Sequence, residues 1–243
     1  MTNIQNIYDN PDFFAGYSAL RNNEQGFNAV LEQPTMRSLL PALKDLTILD
    51  IGCGFGDFCR YARSEDAANV VGIDVSERML AVAKEKTQAA NIEYQCIPIE
   101  KFIPAQTFDI IVSSVTFHYV EDYVALCKKL FSWLKPNGTL VFSVEHPICT
   151  AYSSGVHVTQ TDIWPIKNYR DEEKILQTWF VEGVIKYHRT LQTYLNTLLE
   201  VGFTLQAVLE PMPTDAQIEQ QSRFAIHKIR PPLLVVKVIK GKG

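Results

Sequence analysis

Leu49-Asp50-Ile51-Gly52-Cys53-Gly54-Phe55-Gly56 is a short apolar run that carries one acid and closes on three glycines. Between a strand and a helix, such glycines let the backbone turn sharply and approach a ligand with no Cβ in the way. The N–H groups of the loop and of the helix start then face that ligand. A dinucleotide fold spaces its glycines G-x-G-x-x-G, but the position of its third glycine is Asp57 here, and the spacing is G-x-G-x-G. Asp50 lies inside the strand end, where a carboxylate repels a diphosphate and attracts a cation. The loop therefore points to a positively charged ligand.

Beyond the loop, short apolar runs alternate with amphipathic segments. Residues 46–51, 70–73, 92–95, 108–112 and 139–144 read as buried strands. Helices are expected over 58–64, from 76 to about 90, and over 123–134, the last stopped by the turn Lys135-Pro136-Asn137-Gly138. This alternation means βαβ crossovers, hence a parallel sheet with helices on both faces. Such sheets bind ligands past the carboxyl ends of their strands, where the strand order reverses. Asp74 ends the second strand about twenty residues after the loop, where a carboxylate can accept both hydroxyls of a ribose. Helix capping is the plainer use of either acid. The loop, Asp50 and Asp74 taken together favour the ligand.

Residues 1–44 read as short helices. Pro11-Asp12-Phe13-Phe14 starts one, Asn22-Asn23 interrupts, and apolar positions at helical spacing run from Phe27 to Leu40. Residues 146–188 break the strand–helix rhythm with His146-Pro147, Ser153-Ser154-Gly155, Trp164-Pro165 and Glu182-Gly183, and read as an insertion or lid. A helix over 190–201 ended by Gly202, then strands over 203–209 and 232–239, close the chain. No helix is expected between those last strands, which pair as an antiparallel hairpin with a long connection.

The 243 residues, 47% hydrophobic and 21% charged, suit a single domain, 1–243. Lys plus Arg is 23 against 27 acids, for a net charge of -4, and basic residues nowhere cluster. That balance argues against nucleic acid and for a small molecule. Cys53, Cys59, Cys96, Cys127 and Cys149 form no C-x-x-C pair and no zinc spacing, which predicts reduced thiols, an intracellular protein and no metal. The polar N-terminus is unlike a signal peptide, and no apolar run approaches the roughly 18–20 residues of a membrane span. A cytoplasmic location is expected.

Asp50-Ile51-Gly52-Cys53-Gly54-Phe55-Gly56, Gly72-Ile73-Asp74-Val75-Ser76, Phe108-Asp109-Ile110-Ile111-Val112-Ser113-Ser114 and Leu134-Lys135-Pro136-Asn137-Gly138-Thr139-Leu140 follow one another along the chain. In that order they resemble the motifs of class I S-adenosylmethionine-dependent methyltransferases, above all the small-molecule, type 11 or ubiquinone-methyltransferase-like group. The resemblance covers 46–145. It implies an α/β, Rossmann-like, doubly wound sheet of seven strands ordered 3-2-1-4-5-7-6, with an antiparallel last strand. N-terminal helices (1–44), a cofactor core (45–145), a substrate lid inserted after strand 5 (146–188) and a final helix and strand pair (189–243) would then make up the domain. S-adenosyl-L-methionine would be the donor and S-adenosyl-L-homocysteine the product. Gly52 and Gly54 would back the methionine part and Asp50 its ammonium group, with Cys53 and Ser113 in the same cofactor set. Asp74 would hold the ribose, while Val75 and Met79 line the adenine. Pro98 stands where the family commonly has Asp, so Ile99 would pack on the ring while Glu100 or backbone groups reach its amine. Tyr17 and Arg21 would contact the methionine carboxylate or else lie on the surface.

A sulfonium methyl is already an electrophile, so transfer is an in-line displacement that needs alignment and exclusion of water. A general base is needed only for an acceptor protonated in its ground state. His118, just past the fourth strand, either transfers that proton or merely packs on the cofactor. His146, in Glu145-His146-Pro147 at the end of the fifth, either faces the acceptor or holds a corner. Tyr152, Trp164, Tyr169, Trp179 and Tyr187 suit a lid over a flat or apolar acceptor, or pack the insertion itself. His188-Arg189 reads as structural, His157 and His227 as solvated. The function implied is methyl transfer to a small-molecule acceptor. The alternatives are an NAD(P)-binding oxidoreductase, against which Asp57 argues, and a non-enzymatic binder of S-adenosylmethionine.

Overall fold

The computed structural model of the protein describes residues 5–21, 26–151 and 164–241. Asn10 starts the first helix, its side-chain oxygen accepting from the N–H groups of Asp12 (3.0 Å) and Phe13 (3.1 Å). Pro11, which has no N–H to satisfy, opens that helix, α1 (Pro11–Arg21). The interruption expected at Asn22-Asn23 lies outside the described residues. A π turn over Asn28–Glu32 then runs into α2 (Gln33–Ser38). Pro34 cannot donate to a helical carbonyl, and a widened turn ahead of it accommodates the missing bond.

Five strands run parallel at the centre: β1 (Thr47–Ile51), β2 (Asn69–Asp74), β3 (Ile92–Cys96), β4 (Phe108–Ser113) and β5 (Leu134–Glu145). The crossovers carry α3 (Asp57–Ser64), α4 (Glu77–Lys86) and α5 (Tyr123–Trp133). Alternate residues of β1 serve opposite faces. Ile48 joins Cys59 and Ala62 of α3 on one side, while Leu49 joins Leu130 of α5 and Phe142 on the other. All are fully buried, each large apolar side chain contributing roughly 1.5–3 kcal/mol.

After α6 (Pro147–Thr150), a separate antiparallel hairpin forms from β6 (Lys174–Trp179) and β7 (Val181–Tyr187). Then come α7 (Leu191–Val201), β8 (Phe203–Leu209), α8 (Asp215–Gln220) and β9 (Leu233–Lys240). The main sheet is ordered β3-β2-β1-β4-β5-β9-β8, which is 3-2-1-4-5-7-6 once the hairpin is set aside. β9 is antiparallel to both its neighbours.

Three details depart from the sequence reading. Helix α4 stops at Lys86 rather than near Ala90, because the Thr87 hydroxyl bonds the Ala83 carbonyl (2.7 Å) while its backbone turns extended. Strand β5 begins at Leu134, and its expected turn is a register shift between the Phe108↔Leu134 and Ile110↔Thr139 pairs. Helix α8 was not foreseen: Thr214 and Gln217 form a reciprocal capping box, but none of its residues is buried.

The hairpin meets α1 above the carboxyl ends of the central strands. The Ile185 N–H donates to the Gln5 side-chain oxygen (2.7 Å), and Trp179 stands edge-on to Phe13 with centroids 5.2 Å apart. Among the described residues, no helix is long and apolar enough to cross a membrane.

Candidate functional site

A cavity of about 670 Å³ opens at that edge, under α1 and the hairpin. Its first half is built on β1, β2 and the segment after β3. The Gly52 and Cys53 N–H groups donate to the Ile73 carbonyl (2.8 and 3.1 Å), which folds the loop back over β2. Gly52 has φ +71°, and a Cβ there would stand 2.2 Å from the Thr116 hydroxyl. Gly54 has φ +52° with no atom within 4 Å of a would-be Cβ, so its backbone lies open to the cavity. Asp74 joins the loop to the next helix: one oxygen accepts from the Gly54 N–H and the other from the Ser76 N–H, both at 2.9 Å. Burial pushes the Asp74 carboxyl up, against the lowering effect of those bonds. Val75, Met79 and Ile99 add an apolar wall beside it, with Glu100 at the rim and Tyr17 descending from α1.

The second half lies past β4, β5 and β9. His118 is 1% exposed, and its Nδ1 accepts from the Glu145 N–H (3.4 Å), so its proton sits on Nε2. Burial first, then Lys186 and Arg189, hold this imidazole well below the usual histidine range and hence neutral. Glu145 at the end of β5 pairs with Lys186 of β7 at 2.6 Å, tying the hairpin to the sheet. Tyr119, Trp179, His227 and Arg230 line the same space.

The side chains of Asp50, Cys53, Ser113, Arg21 and His146 do not line this cavity. Asp50 is 3% exposed and turned beneath the loop against α3, where the Cys59 thiol donates to it (3.4 Å). Burial, countered by that bond but reinforced by Asp74, Asp57 and Glu32, raises its carboxyl to about 7. Cys53 is tucked behind the loop against Gly72. The Ser113 hydroxyl donates across to the Ile51 carbonyl (2.9 Å), and it is Ser114 that reaches the cavity. Arg21 pairs with Asp57 at 3.1 Å. His146 caps α6 and bonds Glu210 at 2.7 Å, the corner rather than the acceptor position. His188 bonds Thr150 (2.6 Å) and the Tyr169 carbonyl (2.9 Å). His227 is not solvated: it lines the cavity, and desolvation followed by Arg230 lowers it to about 4. His157 and Tyr152 lie outside the described residues.

Sequence reasoning missed Tyr8, Lys186 and Arg230, which line the cavity, and Glu32, which does not. Glu32, fully buried, accepts from the hydroxyls of Ser114 (2.6 Å) and Ser143 (2.7 Å), fastening the N-terminal segment to the ends of β4 and β5. Among the described residues no three His, Cys, Asp or Glu side chains gather to hold a metal.

An open glycine loop, a strand-end acid and this strand order define a nucleoside-binding α/β core of the methyltransferase type. The family described as "Methyltransferase domain" matches residues 49–142. An uncharacterised protein of Haemophilus influenzae is 37% identical across 99% of both chains. A malonyl-[acyl-carrier protein] O-methyltransferase of Bacillus anthracis is 33% identical over 73% of this chain and 69% of its own. A ubiquinone biosynthesis O-methyltransferase of Bradyrhizobium diazoefficiens is 37% identical over 43% of this chain, but that match spans only 42% of the relative. The solved S-adenosylmethionine-dependent methyltransferase of Mesorhizobium loti superposes with a TM-score of 0.78 at 39% identity, covering 86% of this chain and 97% of that one. The chain belongs to the class I S-adenosylmethionine-dependent methyltransferases, and S-adenosylmethionine is its cofactor.

Proposed function

We propose that the chain moves the methyl group to a small-molecule acceptor bound in the half of the cavity past β4 and β5. One observation carries this: a single space of about 670 Å³, within the range of small-ligand pockets, runs from the glycine loop to those strand ends beneath α1 and the hairpin. The residues fit the donor. The room left where a Gly54 side chain would stand admits the methionine part, the Asp74 carboxylate suits ribose hydroxyls, and Val75, Met79 and Ile99 suit the adenine. Asp50 acts from beneath the loop, through its field, on the donor's ammonium and sulfonium charges.

When bound, the donor supplies an electrophilic methyl that needs no covalent enzyme intermediate. His118 is a neutral hydrogen-bond donor, aligning the acceptor rather than deprotonating it. The Glu145–Lys186 pair and the edge-on packing of Trp179 against Phe13 and Tyr17 of α1 hold the hairpin down as a lid and keep water from the reacting atoms.

The test is transfer from methyl-labelled donor into a cell extract split by ultrafiltration. The label is expected in the low-mass fraction. Label confined to the protein or nucleic-acid fraction would overturn the small-molecule reading while leaving the family untouched.

A further inference from the structure

Arg230 precedes β9 on a segment that the His146 N–H pins to the end of β5 by donating to the Pro232 carbonyl (3.0 Å). Its guanidinium lies over the Trp164 ring, 3.8 Å from the centroid, and Nη1 donates to the Cys149 sulfur (2.9 Å). Nε is buried with no partner. Among the described residues no carboxylate pairs with it. The nearby acids are already engaged, Glu145 by Lys186 and Glu210 by His146. A charged group that is stacked, half-buried and lacks a counter-ion costs the protein free energy until an anion meets it. A planar guanidinium on an aromatic face presents its remaining N–H groups in the fork that fits an oxyanion. His227, beside it, adds a second buried nitrogen without a partner, Nδ1.

Resting on the small-molecule reading above, we infer that Arg230 is an anion-recognition residue of the acceptor half, and that the acceptor carries a carboxylate or phosphate which Arg230 binds. The donor's own carboxylate is the rival claimant. The strand that Arg230 leads into is separated from β1 and its glycine loop by β4 and β5, three strand spacings or about 14 Å. The distance assigns the guanidinium to the acceptor.

The experiment uses the full chain loaded with S-adenosylhomocysteine. Calorimetry compares benzoate and phenyl phosphate with the uncharged isostere benzamide, on the parent and on Arg230→Gln and Arg230→Lys. At least one anion is expected to bind tenfold or more tightly than benzamide, and to show whether carboxylate or phosphate is preferred. Gln removes that preference, Lys restores part of it, and affinity for S-adenosylhomocysteine stays the same in all three. Anions no better than benzamide, or a preference that survives in the Gln variant, overturn the inference. A Gln variant that loses S-adenosylhomocysteine affinity does so too, handing Arg230 to the donor. A parent that binds no S-adenosylhomocysteine would instead count against the donor site itself.

Discussion

Asp50→Asn separates what the loop acid costs the fold from what it gives the ligand. The carboxyl is 3% exposed, and its native value of about 7 stands above the ordinary 3.8 because burial disfavours its charge. A native value above the unfolded one means stability that is full below the unfolded value and lost as pH rises through about 7. Above that pH, keeping the buried group ionised costs the unliganded fold about 4 kcal/mol, at ~1.4 kcal/mol per pH unit between the two values. Asparagine has the same shape and carries no such cost. At roughly 2–4 °C per kcal/mol for a chain of this size, the variant should melt about 10 °C above the parent at pH 8, and only about 4 °C above it at pH 5. Donor affinity should move the other way. A cationic donor favours the ionised carboxylate, so parent affinity rises with pH through about 7 and binding releases a proton. In the variant it should be about tenfold weaker at pH 8 and flat with pH. Melting curves from pH 5 to 9, with calorimetry in two buffers of different ionisation enthalpy, read both. A variant that melts with the parent at every pH, or binds with the parent's pH slope, refutes the reasoning.

Asp74→Ala should weaken S-adenosylhomocysteine by ~1–3 kcal/mol, roughly 5- to 150-fold by calorimetry, and an unchanged affinity would remove Asp74 from the site. Once an acceptor is identified, His118→Ala should lower kcat about tenfold or more while His118→Gln, which keeps a donor N–H, retains most of it. Because His118 stays neutral, kcat against pH should show no histidine inflection of its making between about pH 6 and 8, and a normal rate in the Ala variant would make it structural. Lys186→Met strands the Glu145 carboxylate against the hairpin and should destabilise by ~3–5 kcal/mol in urea titration, with Glu145→Gln in the same chain recovering most of the loss. Equal stability of the single and double variants would show that the pair does not tie the hairpin down.

The glycine loop and acid of the proposed donor half were legible because they are local. Gly52, Gly54, Asp74, Val75 and Met79 fall within one crossover, where the glycine spacing and the strand-end acid carry their own physical reasons. The same spacing could not say which way Asp50 turns: period two puts it on the face of Ile48, and only the docking of α3 makes that face the one beneath the loop. Ser113 falls one position short of the cavity for the same reason, since its side-chain hydroxyl donates to the Ile51 carbonyl across the strands and it is Ser114 that lines the cavity. The acceptor half gathers Glu145, Lys186, His227 and Arg230 through pairings that no motif marks. One signal was there: in β7, Lys186 falls in phase with the buried Val184, where an alternating strand would carry an apolar residue. Arg230 had none, because what sets it apart is the lack of a counter-ion, and that is a property of its neighbours in space.

Charge sorts the two halves of the cavity. Asp74 faces the proposed donor half with Asp50 behind it, whereas in the proposed acceptor half Lys186 is matched by Glu145 and Arg230 has no carboxylate partner among the described residues. On the reading proposed above, a donor with net positive charge is drawn to the first and an anionic acceptor to the second, so each ligand is guided to its own end before shape discriminates. The arrangement also bears on turnover. Methyl transfer removes the sulfonium charge, and with it part of the attraction exerted by Asp50 and Asp74. If Asp50 and Asp74 hold the donor as proposed, an acidic floor holds the product less tightly than the donor, and exchange of one for the other is driven by the same carboxylates whose burial raises their pKa in the unliganded protein.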